Sequence, residues 1–306
     1  MAAADEGIPG VFDMTPDLFA AQFVQIASRD GQTVKISPYG AHVLSWVTAD
    51  GDERLFLSPK AEFRSGAAIR GGVPVIFPQF AEMGNLPKHG FARNRAWKVA
   101  RVTADRAVFR LSESEATRQI WPHRFLAEYT VHIDQDRLEM ALSITNTDHT
   151  PFAFTAALHT YLRVQTLDDA AVLGLQGLLF RDSTQADRES RDVCDRVTFP
   201  GEVDRIYLGA PAALRLIGGK RDLVIGAEGF PDAVIWNPGS GKCARLPDME
   251  ADGYRQFVCV EAAAAQPIGL VPAATWLGKQ VLSIRTLSRP TPTARGAAPP
   301  PIASPR

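Results

Sequence analysis

Two segments carry residues suited to moving protons. Over 152–164 the chain alternates, with Phe154, Ala156, Leu158, Thr160, Leu162 and Val164 on one face and Thr155, Ala157, His159, Tyr161 and Arg163 on the other. If the first face is core, His159 points away from it. An imidazole changes charge near neutral pH and can give or take a proton. The small neighbours Thr155 and Ala157 leave room for a ligand, although a hydrogen-bonded structural histidine fits the same pattern. In Gln256-Phe-Val-Cys-Val-Glu-Ala-Ala263 an apolar strand ends in Glu261, on the face of Phe257 and Cys259. Burial disfavours a carboxylate and raises its pKa toward the range of a general base; a structural ion pair explains it equally well.

Two further segments carry positive charge. In Ile69-Arg-Gly-Gly-Val-Pro-Val-Ile-Phe-Pro-Gln-Phe80, glycines after Arg70 allow close backbone approach. The flanking prolines predict an edge or irregular strand. A structural crossover with Arg70 in a solvated ion pair accounts for the segment as well. Leu86-Pro-Lys-His-Gly-Phe-Ala-Arg-Asn-Arg-Ala-Trp97 gathers Lys88, His89, Arg93 and Arg95 around a Gly-Phe pair. Arginines on such a loop suit a phosphate, since the guanidinium donates two parallel hydrogen bonds; a solvated basic turn has the same composition. Asp204, in Glu202-Val-Asp-Arg-Ile-Tyr207, can accept hydrogen bonds from sugar hydroxyls.

The elements that must hold these residues read as strands. Ala127, Tyr129, Val131 and Ile133, then Leu138, Met140, Leu142 and Ile144, alternate with polar or small residues on either side of a short 134–137 link, which predicts a hairpin. Further strands are expected at 33–37, 42–48, 97–102, 107–112, 152–165, 214–217, 222–227, 233–236, 256–261 and 279–287. Helices are few and short: 16–21, 60–64 and 115–120. The pattern predicts an all-β fold, a large antiparallel β-sandwich with few short helices, as a single domain over 15–289. Residues 1–14 are expected to be flexible. The proline-rich 290–306 is expected to be a disordered tail.

Composition narrows the function. The 306 residues include 33 basic and 34 acidic ones, a net charge of −1, so the basic excess of a nucleic-acid binder is missing. The three cysteines show no CxxC spacing and fit free thiols in a reducing compartment. The N-terminal residues do not read as a secretory signal, and no run approaches a membrane span. A cytoplasmic protein with no membrane or nucleic-acid partner is expected, and a monomer, since nothing suggests an interface. Gly239-Ser-Gly-Lys242 looks like the end of a phosphate-binding loop, but Trp236 stands at the upstream glycine position and Cys243 follows the lysine, so a hairpin turn is expected. No zinc-binding histidine spacing, GxSxG or GxGxxG occurs. We expect no metal and no cofactor, with side chains alone doing the chemistry.

RGGVPVIFPQF, LPKHGFAR, LHTYLRV, DRIY, WNP and FVCVE occur in an order that resembles the hexose-6-phosphate mutarotases (glucose-6-phosphate 1-epimerases) of the aldose 1-epimerase superfamily, over roughly 35–285. The resemblance implies a galactose-mutarotase-like supersandwich with a concave sugar-binding face. It implies that His159 is the general acid, Glu261 the general base, and Arg70 and Arg93 the phosphate ligands, with Lys88 a helper. Gln79, His89 and Asp204 would contact sugar hydroxyls. Ala81 departs from the family, whose members usually carry glycine there, so the loop leading to Gly84 is expected to bend differently. The implied reaction opens the ring of a hexose 6-phosphate, rotates about C1–C2 and closes it on the other face. A mutarotase of free aldoses and a non-catalytic sugar-phosphate-binding sandwich are the alternatives; the basic loops speak against the first and the His159–Glu261 pair against the second.

Overall fold

The computed structural model describes residues 23–285. The expectations for 1–14, for a helix at 16–21 and for the tail at 290–306 lie outside the described residues. Two large antiparallel sheets and a small one form the body. The eight-stranded sheet runs from one edge to the other as Arg188–Arg191, Leu179–Asp182, Val203–Tyr207, Asp232–Asn237, Phe257–Leu270, Phe152–Leu158 and Val75–Ile76, and Tyr161–Arg163 also pairs with Phe257–Leu270. The nine-stranded sheet contains the expected hairpin, Phe125–Asp134 with Arg137–Asn146, and next to it Thr275–Ile284. The small sheet holds Val24–Ala27, Thr33–Ser37 and His42–Val47.

Alternation decides which side chains meet. On Phe257–Leu270, the even residues Val258, Val260, Ala262 and Ala264 enter the main core. The odd residues Phe257, Cys259, Ala263 and Ala265 enter a second apolar cluster with Phe56, Ile76, Phe80, Ala157, Tyr161, Val234 and Trp236. The eight-stranded sheet is therefore covered on both faces, and its second face carries the candidate residues. Burial of such side chains contributes about 25 cal/mol per Å² of apolar surface removed from water.

Several element boundaries differ from expectation. Pairing carries the strand containing Glu261 on to Leu270, so Glu261 lies mid-strand. The strand over 152–165 is broken into Phe152–Leu158 and Tyr161–Arg163 at His159 and Thr160. No helix forms at 60–64: the Ser58 hydroxyl accepts the Lys60 N–H and the Ser58 carbonyl accepts the Ala61 N–H, closing one turn that is not continued. Gly239–Cys243 is a short helix within a long hairpin connection instead of a tight turn, because Asn237 ties that connection down. The Asn237 amide donates to the carbonyls of Tyr254 and Phe257, and its oxygen accepts the Gly239 N–H. The helix Glu115–Ile120 forms as expected behind a capping box between Ser114 and Thr117. Val75–Ile76 is a two-residue edge strand, as its prolines require. Among the described residues no helix is long and apolar enough to cross a membrane.

Candidate active site

Register brings the distant histidine and glutamate together. Leu158 is opposite Ala262 and Tyr161 opposite Cys259, so His159 and Glu261 face each other between those pairs. His159 Nδ1 lies 3.1 Å from Glu261 Oε1. The residues are 8% and 3% exposed. His159 Nδ1 and Glu261 Oε2 nonetheless have no hydrogen-bond partner among the described residues. Buried polar atoms are nearly always paired, so two orphaned ones at one spot set this pair apart from packed core. The imidazole is held by the Tyr161 ring, stacked at 4.8 Å, and by the edge-on Trp236 ring at 5.7 Å.

Both groups are shifted toward neutrality. Burial pushes the Glu261 carboxyl well above the ordinary carboxylate range, Asp204 adds to this, and Arg93 opposes it. Burial drives the His159 imidazole well below its usual value, helped by His89, Arg93 and Arg70. A neutral imidazole beside a carboxylic acid holds the same protons as an imidazolium beside a carboxylate. One transfer across the pair converts the resting form into the acid–base form.

The pair opens into a cavity of about 730 Å³, within the range of small-molecule sites. Of the eight residues singled out from sequence, Arg70, Lys88, His89, Arg93, His159, Asp204 and Glu261 line it. Arg70 is tied back: Nε meets Asp248 at 3.1 Å and Nη1 donates to the Tyr161 hydroxyl at 3.1 Å. Burial would lower its pKa, but Tyr161 and Asp248 raise it overall. Arg93 has no carboxylate within ion-pair distance among the described residues; its Nη2 donates to the Lys88 carbonyl, and its Nε has no partner. Burial and the charge of Arg70 lower it to about 10. Lys88 is exposed and pairs with Glu82 at 3.3 Å. Asp204 lies 3.7 Å from Lys242, and burial raises its pKa.

Gln79 is the exception. Its amide donates to the carbonyls of Leu86 and Ala81 and accepts the Leu86 N–H, so it fastens the 81–86 loop and is not part of the cavity wall. A Cβ on Gly84 would lie 2.4 Å from the Gln79 Oε1, so a larger residue there would push the Gln79 amide off these bonds. Ala81 has φ +48° and pairs twice with His89, accepting its N–H and donating to its Nδ1. This is a left-handed bend that glycine adopts freely and alanine adopts at a cost of about 1 kcal/mol. Arg181, Ser183, Asp187 and Lys242 also line the cavity without having been singled out as ligands. Only the Gly239–Lys242 motif drew notice to any of them.

The buried imidazoles set an acid limit on stability. His42, His89 and His159 are all lowered by burial, the first to about 4 and the second to about 3. Their folded values lie below the unfolded one, so the stability is present above about pH 6.5 and is lost as pH falls. Glu261 retains its proton in the folded state and offsets one of the three. Asp204, also raised by burial, offsets part of the remainder, so unfolding takes up about one to two protons and stability should fall by about 1–3 kcal/mol per pH unit between roughly pH 6 and 4.5. Urea midpoints measured at pH 7 and pH 5 check this; equal midpoints would refute it.

Comparison with known proteins finds relatives along most of the chain. The family model described as "Aldose 1-epimerase" matches residues 22–283. A Cenchrus ciliaris protein named "Putative glucose-6-phosphate 1-epimerase" is 38% identical over 260 residues, 80% of this chain and 79% of that protein. An Escherichia coli K12 protein of the same name is 38% identical over 237 residues, 74% and 78% of the two chains. The crystal structure of a Salmonella typhimurium protein titled "putative mutarotase (YeaD)" superposes with a TM-score of 0.76 at 32% identity, covering 83% of this chain and 87% of that one.

Proposed function

The chain belongs to the aldose 1-epimerase family, and from that premise we propose that it interconverts the α and β anomers of a hexose 6-phosphate. Glu261 takes the proton of the C1 hydroxyl while His159 protonates the ring oxygen. The C1–O5 bond breaks and the C1 carbonyl forms. After rotation about C1–C2 the ring closes on the other face, with the proton transfers reversed. Each positioned proton-transfer group contributes about 10²–10⁴-fold in rate. The phosphate is held by Arg93 and by the free edge of Arg70, with Lys88 at the rim. His89 and Asp204 receive the sugar hydroxyls.

The observation that carries the phosphate is Arg93, a recessed guanidinium without a carboxylate partner among the described residues, in the same cavity as the His159–Glu261 pair. A neutral aldose offers nothing to compensate that charge, whereas a phosphate dianion does. The three free cysteines fit a protein of the cytoplasm, which together with a monomeric state is part of the same proposal. The test is NMR exchange between the anomers of glucose 6-phosphate, with galactose as the comparison sugar. Acceleration on the phosphate is expected. Acceleration on galactose alone would make it a free-aldose mutarotase, and binding without acceleration would make it a sugar-phosphate-binding protein.

A further inference from the structure

Gln280 is a fully buried polar residue that this mechanism does not use. We infer that it is the positioning residue for the His159–Glu261 pair, an inference that rests on the roles proposed above. Gln280 belongs to Thr275–Ile284 in the nine-stranded sheet, whereas the pair belongs to the eight-stranded one. Its side chain crosses the space between the sheets. The amide oxygen accepts from the Thr160 hydroxyl at 2.5 Å, and the amide nitrogen donates to the Val260 carbonyl at 3.0 Å. Thr160 directly follows His159, and Val260 directly precedes Glu261. The Val260 N–H donates to the Thr160 carbonyl at 3.1 Å, closing the triangle.

This brace acts where the strand ladder is interrupted. His159 and Thr160 fall between two strands; their N–H groups donate to the carbonyls of Pro74 and Leu158, neither toward Glu261. The register is set on either side, at Leu158–Ala262 and Tyr161–Cys259; across the gap itself one backbone bond remains, and Gln280 adds the side-chain bonds that hold it. An amide in an apolar core is unfavourable unless satisfied, so an apolar residue of the same size would be the simpler filling. The two bonds that Gln280 makes end on the two residues adjoining the pair. A displacement of about 1 Å between reacting groups lowers rates on the order of 100-fold.

The test compares Gln280→Met, Thr160→Val and the double variant, with Thr160→Ser as the conservative control. Gln280→Met should lower kcat on glucose 6-phosphate by about 10–100-fold and leave KM within about threefold, since the arginines are untouched. It should also lower Tm by leaving the Val260 carbonyl unpaired and the Thr160 hydroxyl with only its long 3.3 Å bond to the Leu158 carbonyl. The double variant also removes that weakly bonded hydroxyl and should regain part of the Tm, while kcat stays low. Thr160→Ser should keep kcat near wild type. A double variant with wild-type kcat would overturn the inference, and so would a wild-type kcat in Thr160→Val if Gln280→Met does not fold. Wild-type protein inert toward glucose 6-phosphate would instead overturn the proposed function. The ¹⁵N chemical shifts of the His159 imidazole in substrate-free protein then decide: a change in Thr160→Val supports the positioning role, and identical shifts exclude it.

Discussion

Glu261→Gln is expected to lower kcat for anomer exchange by about 10²–10⁴-fold while leaving the fold intact. The amide matches the carboxyl in shape but cannot take the C1 hydroxyl proton. The same change should raise stability at neutral pH. Glu261 has a folded pKa well above its usual value because it is buried. Above about pH 4.5 the unfolded chain ionises this group while the folded one holds its proton. The wild type therefore loses about 1.4 kcal/mol per pH unit from this residue until the pH passes the folded value. The glutamine variant escapes that loss, so its stability advantage should grow with pH over this interval. For the same reason, the acid limb of kcat/KM should lie above the ordinary carboxylate range. A variant within tenfold of wild-type kcat would exclude Glu261 as the base.

Removal of both arginines, Arg70→Ala with Arg93→Ala, should abolish the preference for a phosphorylated sugar. Hydrogen bonds to a charged group contribute about 1.5–3 kcal/mol each. Two of them correspond to roughly 10²–10⁴-fold in kcat/KM for glucose 6-phosphate, with the free sugar little affected. The single variants should separate in stability. Arg70 is paired with Asp248, whose Oδ1 already lacks a partner, so Arg70→Ala strands a half-buried carboxylate and should be destabilising. Arg93 has no acidic partner among the described residues, so Arg93→Ala removes an uncompensated charge and should be neutral or stabilising. Thermal melts of the two variants, with kinetics on both sugars, check this. An Arg93→Ala protein with undiminished phosphate preference would remove the proposed anion ligand.

The sequence alone determined which residues share a face. Strand alternation has a period of two and is local, so the 152–164 and 256–263 segments already placed His159 beside Tyr161 and Glu261 beside Phe257 and Cys259. Local rules also determined the all-β class, the 134–137 hairpin, the capped helix at 115–120 and the edge character of Val75–Ile76. Tertiary structure decided everything that depends on pairing between distant segments. The register opposing Leu158 to Ala262 sets His159 against Glu261, and nothing within either segment encodes it. Gln79 was selected by its motif, yet its amide goes to loop carbonyls, because hydrogen-bond partners depend on which backbone arrives. Arg93 and Arg70 read alike as charges in the sequence; the approach of Asp248 to one of them alone left the other uncompensated. Gln280 carries no local signal beyond falling within the strand expected at 279–287. Its bonds to the neighbours of both His159 and Glu261 exist because two sheets pack face to face, and that contact comes from burying apolar surface across the whole sandwich, not from any local pattern.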